Sequence, residues 1–285
     1  MYTSNGYELS AAPDRLGELE TVPSSIRHDR AALRAQLERD GYLFLRGALD
    51  REAVLDFRRY YFDALIGTGV SGPRRDEHDA LGHATDEPLD QAAFRHKLFR
   101  DIVPGQQYAA FCSQPAVRGW YAWFLGGEPF LHRRKIIRHI APAERGIGTA
   151  TQAHYDLLYL RGGSESVLSS WIPLGDTPVA RGGLTYLENS HRHVRLEEAQ
   201  RTEKRPPDNM TPDLPGLADE HDARWLTADY DAGDMVVHTS HTIHAALDNT
   251  DPDGFIRLST DIRYQRADDA IDGRWQNHWN PDDGL

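Results

Sequence analysis

Beyond Gly126–Gly127 the chain breaks into short runs of β-branched and aromatic residues, and this texture narrows the possible folds more than any other feature. FLHRRKIIRHI (130–140), SVLSSWIPL (166–174), LTYL (184–187), MVVH (235–238) and FIRLSTDIRY (255–264) are strand-like, with Gly-Gly, Gly-Asp and Asn-Thr-Asp-Pro as turn signals between them. Many short strands with such punctuation predict an antiparallel sandwich or barrel. The first half reads differently. IRHDRAALRAQLER (26–39) has Ser25 as a candidate cap and Gly41 as a candidate stop. YLFLR (42–46) is a short strand, and Asp50 can cap a helix over REAVLDFRRYYFDALI. Two more helical stretches fall near 88–102 and 114–125. The expected fold is therefore mainly β with a helical layer. It is laid out as one domain over 1–285: an irregular arm (1–24), a mostly helical layer (25–127), a β core (128–268) and a tail (269–285). The arm is either disordered or a strap over the core. The Pro-rich RPPDNMTPDLPGL (205–217) reads as a long surface insertion, because proline cannot donate to a sheet ladder.

Composition removes several classes. A chain of 285 residues, 39% hydrophobic and 27% charged, is an ordinary globular one. The balance of 44 Asp+Glu against 32 Lys+Arg, net −12, argues against a nucleic-acid partner, since such binding rests on neutralising phosphates. No stretch has the roughly 18–20 apolar residues of a membrane span. The start, MYTSNGYELSAAPDR, lacks a basic and an apolar signal region, so a cytoplasmic protein is expected. Cys112 alone allows neither an intrachain disulfide nor a thiolate cluster, and its apolar helical context reads as buried filler.

The chemistry lies in the order of a few polar residues. His154 and Asp156, in QAHYDLLYL, are two apart, so on a strand they share a face. An imidazole beside a carboxylate begins a metal site, and GDMVVHTSHTIHAALDN offers His238, His241 and His244 for a third ligand. Two histidines and a carboxylate on one face of iron leave three positions open, the facial triad of non-heme Fe(II) oxygenases. A bidentate 2-oxo acid and dioxygen fill those positions. Arg257 and Ser259, again i and i+2, suit the distal carboxylate of a dicarboxylate such as 2-oxoglutarate.

HYDLLYL, WIPLGDTPVARGGLTYLENSH, GDMVVHTSHTIHAALDN and IRLSTDIRY, in that order, resemble the phytanoyl-CoA dioxygenase (PhyH) family of Fe(II)/2-oxoglutarate oxygenases. QLERDGYLFLRGALDREAV is similar to that family's opening helix–strand–helix, so the resemblance covers roughly residues 30–266. It implies a double-stranded β-helix, or jelly-roll (cupin-like), core. It implies His154, Asp156 and His244 as catalytic iron ligands: the Asp234-to-His244 distance is similar to the family's, and that likeness, not spacing by itself, selects His244 among the three candidates. It further implies Arg257 and Ser259 on the 2-oxoglutarate C5 carboxylate, and Trp171 beside the cosubstrate. Fe(II), 2-oxoglutarate and O2 would then hydroxylate an unactivated C–H of a small organic metabolite, releasing succinate and CO2. The carboxylate at Asp156 disfavours halogenation, while desaturation, epoxidation or ring closure would use the same iron. Tyr155 and Glu188-Asn189-Ser190-His191 depart from the family's usual Gln and Pro-Gly-Ser-His, and neither touches a ligand.

Other readings make different demands. A non-catalytic jelly-roll binding module predicts an incomplete triad, and a cupin-like enzyme without a 2-oxo acid has no need of Arg257. His238 and His241 read as packing or hydrogen-bonding residues. Arg138, His139, Gln152 and Tyr159 are candidates to line the pocket. Gly67 to Gly72 fits G-x-G-x-x-G, but follows a helix and so fails the dinucleotide context. The loops at 67–87 and 200–222 are long enough to be a lid. Oligomeric state and substrate identity are not legible at this level.

Overall fold

A computed structural model describes residues 2–72, 81–142, 144, 149–203, 205–280 and 285. The N-terminal arm is an ordered strap. Strands β1 (Tyr2–Ser4) and β2 (Tyr7–Leu9) form a hairpin, and β3 (Leu16–Glu18) follows. Helix α1 (Arg30–Asp40) begins where the Asp29 carboxylate accepts the N–H groups of Ala31 and Ala32. It ends at Gly41, whose φ of 80° suits glycine. The expected start at Ser25 is thus shifted: Ser24–Ile26 makes only a 3-10 turn, and Asp29 satisfies the first free N–H groups. After β4 (Tyr42–Leu45), α2 (Arg51–Ala64) starts at Asp50 as the sequence indicates. Helix α3 (Gln91–His96) runs into a π-turn at Lys97–Ile102. Helix α4 (Gln106–Cys112) was not expected as a separate element, and α5 (Pro115–Leu125) carries proline in its first turn.

The remaining strands are β5 (Pro129–Leu131), β6 (Ile136–Ile140), β7 (Leu168–Pro173), β8 (Leu184–Leu187), β9 (Trp225–Thr227), β10 (Met235–Thr239), β11 (His244–Ala246) and β12 (Arg257–Arg266). Helices α6 (Leu157–Leu160), α7 (Ser190–Gln200) and α8 (Leu214–Glu220) lie in the connections. The run 130–140 splits in two because Arg134 N–H leaves the ladder to donate to the Trp275 carbonyl at 3.1 Å. The Pro-rich segment is not a free surface insertion. Met210 N–H donates to Ala153 O at 2.7 Å, and Leu214 and Leu217 are buried beneath Trp225, whose indole N–H donates to Leu214 O at 2.8 Å. Its leucines bury enough apolar surface to dock the segment despite its prolines.

The strands form two main sheets. The large one runs β4-β10-β7-β12-β5, with β6 also on β12, and the small one runs β11-β8-β9-β3. From β6 onward the chain alternates between them: β6 large, the His154 bridge small, β7 large, β8 and β9 small, β10 large, β11 small, β12 large. Period-2 alternation sorts the side chains of the large sheet. Leu43, Leu168, Ile172, Val237, Leu258 and Ile262 point to the helices and meet Phe57, Tyr61, Tyr108 and Tyr121. Phe44, Trp171 and Val236 point the other way and meet Leu184, Tyr186 and Leu226 of the small sheet. On β12 the inward set is polar throughout, Arg257, Ser259, Asp261, Arg263 and Gln265. A row of charged and polar groups in the space between two sheets needs partners there.

Candidate active site

His154 and His244 are paired across the edge of the small sheet, each N–H donating to the other's carbonyl, at 3.1 and 2.9 Å. Asp156 is not on a strand. It has helical φ and ψ (−62°, −28°) and opens α6, while Leu157 N–H donates to Ser240 O at 2.8 Å. The shared strand face expected for His154 and Asp156 is therefore corrected: the two side chains converge because the chain turns into a helix directly after the bridge. Ligand atoms of His154, Asp156 and His244 all lie within 4.8 Å of one another, and all three residues are buried.

The surroundings fix the donor atoms. His154 Nδ1 lies 2.8 Å from Gln152 O, and His244 Nδ1 lies 2.9 Å from Thr242 O. A carbonyl only accepts, so each Nδ1 carries the proton and each Nε2 presents a lone pair, the arrangement that orients metal-binding imidazoles. Burial lowers both pKa values, His244's well below the usual histidine range, so the neutral imidazole required of a ligand is favoured. Burial alone would raise the Asp156 carboxyl; Arg263, His238 and His244 outweigh it and hold the group well below its usual range.

Asp156 is gripped from one row of the large sheet. Ser169 on β7 is the register partner of both His238 on β10 and Arg263 on β12. Arg263 Nη2 donates to Asp156 Oδ1 at 2.9 Å, Ser169 Oγ donates to Oδ2, and His238 Nε2 lies 3.4 Å from Oδ2. His241 is turned away, with Nε2 3.6 Å from Glu165.

A cavity of about 200 Å³ opens beside these groups, with Trp171, Arg257 and Ser259 in its wall. Arg257 is 2% exposed and donates from Nη1 to Ser259 Oγ at 3.1 Å. Its Nε and Nη2 have no hydrogen-bond partner among the described residues. Burial draws its pKa down to about 10 against the pull of Asp261. A buried guanidinium with idle donors is costly unless an anion completes it, so this wall fits a carboxylate ligand. Trp171 is 1% exposed, with its ring against Tyr230 at a centroid distance of 4.7 Å. Of the other candidates, Arg138, Gln152 and Tyr159 line the cavity. His139 faces the helices instead, with Nδ1 2.6 Å from the Tyr61 hydroxyl and its ring against Phe94. Asp261, Arg263 and Ser169 escaped the sequence reading. The signal was there for the first two: the i, i+2 step from Arg257 to Ser259 continues through them on one strand. Cys112 is fully buried, and burial pushes its thiol up to about 12. Gly67 to Gly72 follows α2 and opens no helix among the described residues; 73–80, in the loop read as a lid, lie outside them. No helix among the described residues is long and apolar enough to cross a membrane.

Two histidines and a carboxylate with set donor atoms, beside a cavity holding an unsatisfied arginine, fit a ferrous ion and a 2-oxo dicarboxylate. Comparison with known proteins agrees. The model of the phytanoyl-CoA dioxygenase (PhyH) family matches residues 37–257. A 1-deoxypentalenic acid 11-beta-hydroxylase of Streptomyces exfoliatus is 27% identical over 243 residues, 84% of this chain and 82% of that one. Among solved structures, SnoK, an alpha-ketoglutarate-dependent carbocyclase from nogalamycin biosynthesis, aligns with a TM-score of 0.57 at 22% identity, covering 88% of this chain and 89% of its own. EctD from S. alaskensis, solved with 2-oxoglutarate and 5-hydroxyectoine, aligns at 0.56 and 16% identity, covering 95% and 88%. The protein is an iron- and 2-oxoglutarate-dependent oxygenase. It belongs to the phytanoyl-CoA dioxygenase family.

Proposed function

We propose that this oxygenase hydroxylates an unactivated C–H of a small organic metabolite, with one oxygen atom entering the product and the other entering succinate. The observation that carries the reading is the gathering of His154, Asp156 and His244 beside Arg257 in one cavity. The strand order, alternating between two sheets, supports a double-stranded β-helix core, and the 285 residues act as one domain in the cytoplasm. A relative is a 1-deoxypentalenic acid 11-beta-hydroxylase, which supports the metabolite class.

In this reading His154 Nε2, His244 Nε2 and Asp156 hold the iron. Bound iron with 2-oxoglutarate supplies dioxygen activation, coupled to release of CO2 and succinate. The chain does the rest by position and charge. The Gln152 and Thr242 carbonyls lock the imidazole tautomers. Arg263 balances Asp156. Arg257 and Ser259 seat the C5 carboxylate, and Trp171 closes the wall beside it. Substrate docks in the remaining cavity without contacting the metal.

The test is anaerobic addition of Fe(II) and 2-oxoglutarate, read as a weak visible charge-transfer band. Asp156→Ala is expected to abolish the band and oxygen-dependent succinate release; a full band in that variant would remove Asp156 from the ligand set. Arg257→Ala is expected to raise the 2-oxoglutarate requirement by roughly 10- to 100-fold, the worth of a lost charged hydrogen bond. An unchanged requirement would favour an enzyme that uses no 2-oxo acid. Product analysis separates hydroxylation from desaturation, epoxidation or ring closure.

A further inference from the structure

The cavity wall carries four arginines, Arg134, Arg138, Arg257 and Arg263, against two side-chain carboxylates, Asp156 and Asp261, with the backbone of Leu285 also in the wall. Three of the four are engaged or accounted for. Arg263 is paired with Asp156. Arg134 donates to Leu285 O at 2.7 Å and lies over the Trp275 ring, 5.4 Å from its centre. Arg257, at the Ser259 position, is the seat assigned above to the cosubstrate. Arg138 has no hydrogen bond or ion pair to any carboxylate among the described residues; its guanidinium lies 5.9 Å from the Trp279 ring centre.

The sheet register puts Arg138 opposite Ser259 across the β6–β12 pair, on the wall that faces the triad. Its side chain is reached by solvent, yet the walls around it desolvate the charge and lower its pKa, with Asp261 pulling the other way. A ferrous ion and a 2-oxoglutarate dianion cancel each other, so loading the enzyme leaves the positive excess of the wall in place. Ile136, Ala150 and Leu184 supply apolar wall in the same cavity.

We propose that Arg138 is the substrate anchor, and that the substrate is a compact, largely apolar molecule bearing one carboxylate, which Arg138 grips while the body lies along the apolar wall. The charge places the acid end at β6 and so fixes which carbon faces the metal. Planar guanidinium–carboxylate pairing gives this orientation as well as affinity. The proposal names the substrate class for the oxygenase reading given above and rests on it.

The experiment is ligand-observed NMR on the full chain loaded with Zn(II) and 2-oxoglutarate. The probes are compact cyclic carboxylic acids, each paired with its primary amide. Binding is expected to favour the acids, and Arg138→Gln is expected to weaken acid binding at least about tenfold while leaving 2-oxoglutarate bound. Arg138→Lys is expected to recover part of it, because the charge returns without the planar fork. Three results overturn the proposal: no preference for acids over amides (no binding at all included), acid binding that survives Arg138→Gln, or loss of 2-oxoglutarate in that variant, which would give Arg138 to the cosubstrate. Failure of the wild-type protein to retain 2-oxoglutarate would instead overturn the oxygenase reading, so the two failures are distinguishable.

Discussion

Asp156 shows how a single side chain is set by distant ones. Its carboxylate is 1% exposed and takes donors from Arg263 and Ser169, with His238 3.4 Å away. Taking one charge of such a pair away leaves the other stranded in a poor solvent, at a cost of about 3–5 kcal/mol. Arg263→Met is therefore expected to lower metal-free stability by that order, read as a fall in the urea midpoint at pH 7. An unchanged midpoint would mean that Ser169 and His238 suffice. The sequence made Asp156 visible through its place beside His154. It could not show the clamp, because Ser169, His238 and Arg263 become neighbours only through strand register, and nothing local in LSSWIP or MVVHT marks the row.

Strand β6 carries opposite chemistry on its two faces, and its pH behaviour follows from that. Arg138 faces the cavity, while His139 faces the helices against Tyr61 and Phe94. Burial, helped by the positive charge of Arg257, pushes the His139 pKa down to about 4. In the unfolded chain the imidazole titrates near ~6.5. Between these values the unfolded state takes up a proton that the folded state refuses, so stability falls as pH drops through that window. By pH 5 the loss from this one group is about 2 kcal/mol. His139→Asn keeps a polar partner for Tyr61 and has no such titration. The stability difference between pH 7 and pH 5, from urea unfolding, is expected to shrink by about that amount in the variant; an equal difference would place the acid sensitivity elsewhere. At this scale the sequence was a good guide to β4, β8 and the longer strands of the large sheet, but it missed β1, β2, β3 and β9 and was a poorer guide to helix starts and loops. LTYL matches β8 residue for residue, since alternation and turn residues are local signals. The start of α1 slipped to Asp29 because two acceptors lay within one turn of each other, and the choice depends on which one meets the free N–H groups.

Across the whole molecule, the N-terminal strap and the small sheet are one unit. Ser4 Oγ donates to Ala246 O at 2.8 Å, Asn5 N–H donates to Asp248 Oδ1 at 2.8 Å, and β3 runs parallel to β9. Leu9 and Leu19, both part of this strap, are each 2% exposed. Deleting residues 2–19 removes both buried leucines from their packing and frees the end of the strand that carries His244. A loss on the order of 3 kcal/mol or more is expected, since each buried leucine contributes about 1.5–3 kcal/mol. Metal affinity should weaken with it, read by calorimetric titration with Mn(II). Unaltered stability and affinity would show that the strap is dispensable. Scale also separates charge from site: the net charge of −12 belongs to the surface, while the cavity is lined by an excess of arginine. The sequence by itself determined the class of side chains inside the core and the order in which they occur, because period-2 alternation on β12 and the spacing of His154, Asp156 and His244 are written along the chain. Only the tertiary structure decided how His154 and His244 are paired, which donors hold Asp156 and which arginine makes no carboxylate pair among the described residues. Those are questions of register between strands whose paired residues lie roughly 70 to 125 positions apart, and register is fixed by the packing of whole faces rather than by any one segment.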